Sequence, residues 1–207
     1  MDVFEYGSKH ASVVLLQPVD DHDLDAIEDE ITVIHENYAE EFQLIAFKVN
    51  AWHKDLSPWK APAVFGKEAF GDGAADTLHS ILKFCEDRTK KYYIGGYSLA
   101  GLFALWTAYQ VESFRGVAAA SPSIWFPDFF DYMKDNKLKS RNIYLSLGDK
   151  EEKARNPIMA TVGETIRAAY VMLKDQNVNC TLEWNEGNHF KDAGLRTAEA
   201  FLWVMKQ

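Results

Sequence analysis

Ser98 stands in the run Gly96-Tyr97-Ser98-Leu99-Ala100-Gly101, between a β-like stretch at 92–97 (YYIGGY) and an apolar stretch at 99–109 (LAGLFALWTAY). A serine on a tight strand-to-helix turn, with small residues two positions to either side, is the nucleophile-elbow pattern. Bulky side chains at the flanking positions would collide with the neighbouring backbone. The usual form carries Gly at both flanks, and Ala100 departs from it by one methyl group. The competing reading is a serine that only caps the helix beginning at Leu99. A serine hydroxyl is a poor nucleophile until a base takes its proton, so the pattern requires a histidine at another strand end.

Six histidines compete for that role. His35 and His79 fall within amphipathic helical patterns, and His10 precedes a strand at its wrong end. His22 and His53 lie in loops after strands and stay in contention. His189 follows the last strand in Glu186-Gly187-Asn188-His189-Phe190, just before the closing helical pattern. Hydrolases with this architecture run in the order Ser, acid, His, which favours His189 as the base. The acid then belongs between Ser98 and His189. Gly148-Asp149-Lys150-Glu151-Glu152 follows the strand at 143–147 (IYLSL) and offers three carboxylates, among which spacing alone does not choose. One of them would accept the imidazole N–H and fix its tautomer.

The elements that must position these residues alternate. Apolar runs at 12–17 (SVVLLQ), 44–49 (LIAFKV), 92–97, 114–120 (FRGVAAA), 143–147 and 180–184 (CTLEW) read as strands. Between them fall helical spacings: Leu24, Ile27, Ile31, Ile34 and Tyr38; Leu78, Ile81, Leu82 and Cys85; the run 99–109; Val162, Ile166, Ala169 and Leu173; and Leu195, Ala198, Leu202 and Met205. Alternation of this kind predicts an α/β fold: a mainly parallel sheet of about six strands with helices on both faces. Residues 1–207 are expected to form a single domain with no separate cap. Ligands of such sheets bind beyond the carboxyl ends of the strands, where Ser98, the carboxylates and His189 all fall.

The run 95–106 (GGYSLAGLFALW), the segment Ala119-Ala120-Ser121-Pro122-Ser123-Ile124-Trp125 and Gly187-Asn188-His189-Phe190 together resemble the α/β-hydrolase family that includes esterase D-like, feruloyl and enterochelin esterases. The resemblance covers most of the chain from about Phe70 onward. It implies a compact α/β-hydrolase fold and a serine esterase without cofactor or metal, acting on a small acyl, aryl, lactone or siderophore-type ester through an acyl-enzyme. Many members place the acid three residues after the glycine ending its strand, which favours Glu151 over Asp149; some siderophore-cleaving relatives manage without an acid. An Ala at the second flank of the elbow is within the family's range. The oxyanion hole needs two N–H donors. Leu99 is the first, and the second is expected from Gln17-Pro18-Val19-Asp20-Asp21. Pro18 has no N–H, so Val19 is the expected donor and Gln17 the alternative. An acyltransferase using the same site, and a non-catalytic binding protein on this fold, are the rival readings.

The loop at 51–71 is long for such a connection, and loops of that length at this face are often functional. Trp52, Trp59, Phe65 and Phe70 are expected either to wall a substrate pocket or to close the sheet edge as a small satellite core. Trp125 is the stronger pocket candidate, because its loop adjoins the strand of the nucleophile. Trp106, Trp184 and Trp203 fall on predicted core elements, so the six tryptophans divide between pocket and core.

The chain has 22 Lys and Arg against 31 Asp and Glu, a net charge of -9, which disfavours nucleic acid and anionic membrane surfaces as partners. An acidic surface also offers an anionic substrate no general attraction. No apolar run approaches the roughly 18–20 residues that span a bilayer. The opening Met1-Asp2-Val3-Phe4-Glu5 lacks a signal peptide's basic start, and Cys85 and Cys180 make no disulfide framework. These features suggest a cytoplasmic protein with reduced thiols and leave its oligomeric state open.

Overall fold

A computed structural model describes residues 1–207. Strand β2 (Val13–Val19) is buried at every position, as a strand covered on both faces must be. Its side chains alternate between two cores: Val14 and Leu16 join one, Val13, Leu15 and Val19 the other. The same alternation divides β4 (Lys91–Tyr97) and β5 (Phe114–Ala120). Ile94 and Val117 face the larger core, Tyr93 and Ala118 the smaller.

The sheet has seven strands in the order β1-β3-β2-β4-β5-β6-β7, completed by β1 (Asp2–Gly7), β3 (Phe42–Lys48), β6 (Asn142–Gly148) and β7 (Asn179–Asn185). Six of them run parallel, and β1 pairs antiparallel with β3. The expected count of about six strands misses β1. Its side chains are almost all exposed, so it has no apolar run to betray it.

Helices cover both faces. The larger core is closed by α4 (Ala74–Leu82), α5 (Ser98–Gln110), α6 (Phe129–Asp135) and α7 (Val162–Asp175). The smaller is closed by α2 (Ile27–Asn37) and α8 (Ala193–Met205). Two short helices, α1 (Asp21–Asp25) and α3 (Trp52–Asp55), follow β2 and β3. The helical spacing from Leu24 to Tyr38 is broken at Ala26 into α1 and α2. No helix is long and apolar enough to cross a membrane.

The chain leaves β2 for β3 on one side and returns to β4 on the other, so the strand order reverses between β2 and β4. These two strands pair only from Val13 with Lys91 to Leu16 with Ile94. Beyond that, β2 continues along β3 to Val19 and β4 along β5 to Tyr97. The divergence opens a crevice at the carboxyl ends, where sheets of this type bind their ligands.

Candidate active site

Ser98 follows β4 and begins α5 with φ at 56°, a left-handed conformation that a non-glycine residue adopts only when its surroundings enforce it. The small flanks make the turn fit. A Cβ on Gly96 would lie 2.6 Å from the Ala100 methyl, and one on Gly101 would lie 3.0 Å from the carbonyl oxygens of Ala120 and Gly96. Ala100 is therefore tolerated because position 96 is empty. Behind the turn, α5 is buried from Leu99 to Tyr109, which anchors the strained residue on a rigid element.

Ser98 Oγ lies 2.9 Å from His189 Nε2, and His189 Nδ1 lies 2.6 Å from Glu151 Oε2. His189 comes from the loop after β7 and Glu151 from the one-turn helix at Glu151–Lys153 after β6. The second oxygen of Glu151 accepts from the Ser121 hydroxyl and the Gly148 amide, each at 2.8 Å, and from Arg196 Nη1 at 3.3 Å. Arg196 is 1% exposed. Its guanidinium also donates to Tyr97 Oη at 3.0 Å and to the Glu186 carbonyl at 3.0 Å. Tyr97 in turn donates to the His189 carbonyl at 2.8 Å. Burial pushes the Tyr97 phenol above its ordinary pKa, which keeps it a neutral donor. The imidazole is thus held from its ring and from its backbone.

No protein-family model matches the chain, and no curated protein matches it in sequence. Solved structures do match in three dimensions. An IroE-like serine hydrolase from Shewanella oneidensis superposes with a TM-score of 0.75 at 12% identity, over 99% of this chain and 75% of that one. The siderophore hydrolase EstA from Aspergillus nidulans gives 0.70 at 20% identity, over 95% and 83%. A Bacillus cereus carboxylesterase gives 0.64 at 15% identity, over 100% and 94%. The chain has the α/β-hydrolase fold.

Other residues of this hydrolase-fold chain fall where the sequence does not foretell. Asp149, the rival acid, accepts the Gly187 amide at 2.7 Å and so ties the two loops together without touching His189. Glu152 pairs with Arg167 at 2.9 Å. The Leu99 amide opens α5 directly after Ser98, in the first turn where N–H groups have no helical acceptor. Val19, the expected second donor, is a correction. It lies inside β2, paired with Lys48, and its carbonyl accepts the Val49 amide at 2.9 Å. The N–H and C=O of one strand residue point the same way, so the Val19 amide faces β3 and turns its back on Ser98. Gln17 is also paired with β3, and its side chain is committed to Glu30.

The tryptophans separate. Trp52 and Trp125 line a small cavity of about 30 Å³ beside Ser98 and Leu99, with Phe65, Phe70 and His53. Trp59 does not reach it; its Nε1 donates to the Pro127 carbonyl at 3.1 Å, and its ring packs on Phe126, Phe129 and Tyr132. Trp59 therefore fastens the 51–71 loop to α6. Trp184 is another correction: β7 is an edge strand, and this ring lies exposed under the Arg167 guanidinium, 4.7 Å from its centroid. Sequence reasoning passed over Arg196, Tyr97 and Ser123. Ser123 Oγ sits 3.3 Å from Ser98 Oγ, and its amide donates to the Ser98 carbonyl at 3.0 Å. The serine-rich run 121–123 was the available signal for it.

Proposed function

We propose that this protein is a serine carboxylic-ester hydrolase. One observation carries the reading: the unbroken hydrogen-bond chain from Ser98 through His189 to a buried Glu151, mounted on a strained turn. Ser98 attacks the ester carbonyl while His189 Nε2 accepts its proton. Glu151 orients the ring and stabilises the imidazolium. The Leu99 amide and the Ser123 hydroxyl stabilise the developing oxyanion. His189 then returns the proton to the leaving alcohol, and water, activated in the same way, releases the acyl group from Ser98. The fold likeness to a siderophore hydrolase and a carboxylesterase agrees with such chemistry.

A fluorophosphonate probe tests this. The folded chain is expected to take up one equivalent, with the adduct mapped to the peptide containing Ser98 and none formed by Ser98→Ala. Labelling that survives that substitution would refute the nucleophile.

A further inference from the structure

Two cavities meet at Trp125. The smaller, about 30 Å³, holds Ser98 and Leu99 but not His189. The larger, about 230 Å³, holds His189 but not Ser98, with Trp125, Met159 and Val162 among its apolar lining. In ester cleavage the leaving oxygen must come within reach of His189 Nε2, which returns its proton, whereas the acyl carbon stays bonded to Ser98. The smaller cavity therefore suits the acyl group and the larger the alcohol.

Lys150 and Lys153 line the larger cavity. Neither ammonium group lies within ion-pair distance of a carboxylate. Of the carboxylates in the flanking segments, Glu151 pairs with Arg196, Glu152 with Arg167 and Glu186 with Lys191, whereas Asp149 accepts the neutral Gly187 amide and keeps its charge, so the two lysines outnumber it. A net charge of -9 makes two unpaired cations at one cavity a local exception. Distant surface acids do not cancel it, because at physiological salt charges are screened beyond about 8 Å.

Resting on the hydrolase reading above, we propose that the substrate is an ester of a compact acyl group with an alcohol bearing an anionic group, a carboxylate or a phosphate, which Lys150 and Lys153 bind. Each exposed lysine contributes modestly, and together they are expected to favour the anion by about 3- to 20-fold, expressed in KM.

The test compares kcat/KM for 4-acetoxybenzoate, 4-acetoxyphenyl phosphate, the neutral 4-acetoxybenzamide and a trimethylammonium analogue, each in the native chain and in Lys150→Gln/Lys153→Gln. Dividing the native ratio of anionic to neutral ester by the variant's ratio cancels intrinsic reactivity. The expected quotient is about 3 to 20 at low salt and falls as salt is added. Lys150→Glu/Lys153→Glu should reverse the preference towards the cationic ester. The carboxylate and phosphate arms decide which anion is preferred. A quotient near one for both anions would overturn the proposal. Absence of turnover on every ester, together with absence of fluorophosphonate labelling, would instead overturn the hydrolase reading itself.

Discussion

Glu151 and Glu30 are both buried, 7% and 3% exposed, but their surroundings treat them in opposite ways. Glu151, at the carboxyl end of the sheet, meets donors from His189, Ser121, Gly148 and Arg196. Glu30, on α2 against β2, has one donor, Gln17 Nε2 at 3.2 Å, and its Oε1 has no partner. Burial pushes the Glu30 carboxyl up to about 8. A carboxylate kept from water needs its oxygens supplied with donors, and one that lacks them holds its proton instead. The same side chain is thus held by four donors in one region and packs as a neutral group in the other. Donors make that difference; depth does not.

The comparison breaks most directly at Glu151. Glu151→Gln keeps the shape but removes the charge, and is expected to lower kcat on an aryl ester by about 10³- to 10⁴-fold. Glu30→Gln, measured in the same assay, should stay within about twofold of the native rate. Equal losses in the two variants would erase the distinction.

Arg196 sharpens it next. Arg196→Met leaves Glu151 buried without its cation, which is expected to cost about 3–5 kcal/mol of stability in urea unfolding. Packing loss alone could account for that, so turnover of the folded variant is the decisive readout. Loss of the guanidinium that holds Glu151 and Tyr97 should lower kcat on an aryl ester with KM little changed, and Arg196→Lys should bring it part-way back. An unchanged kcat would make Arg196 a purely structural residue.

The smallest effect belongs to Glu30 and is read as a slope. The folded chain keeps this proton to about pH 8, whereas an unperturbed carboxyl releases it near 4.5. Within that window the folded state binds more protons than the unfolded state, so stability falls as pH rises, by up to about 1.4 kcal/mol per unit from this group. Glu30→Gln should flatten the dependence and unfold at higher urea than the native chain at pH 8, with little difference near pH 5. An unchanged slope would mean that Glu30 is already ionised.

Much of the architecture was legible because doubly covered strands leave apolar runs and their helices leave periodic ones. β1 left neither, being exposed along most of its length. Ser98 and His189 stood out through their places after strands, and the structure brings them within hydrogen-bond distance. Arg196 was invisible for the opposite reason. An arginine next to the apolar positions Leu195 and Ala198 reads as part of a solvated helix face, and only tertiary packing turns it inward. Val19 misled because the strand runs two residues further than its apolar run suggests, which converts an expected loop amide into a ladder amide. Trp59 and Trp52 share one loop and one composition; their different roles follow from which side of it α6 occupies.

Arg196 sits on the first turn of α8, close in sequence to His189, and α8 packs on β4, β5 and α2. Any excursion that lifts α8 from the sheet removes the cation beside Glu151 and loosens the loop carrying the imidazole in the same movement. Local opening and loss of chemistry are then one event with one free energy. Slow hydrogen exchange along α8 and the fraction of molecules able to react should therefore rise and fall together, which makes reactivity towards an ester a gauge of how firmly this helix is seated.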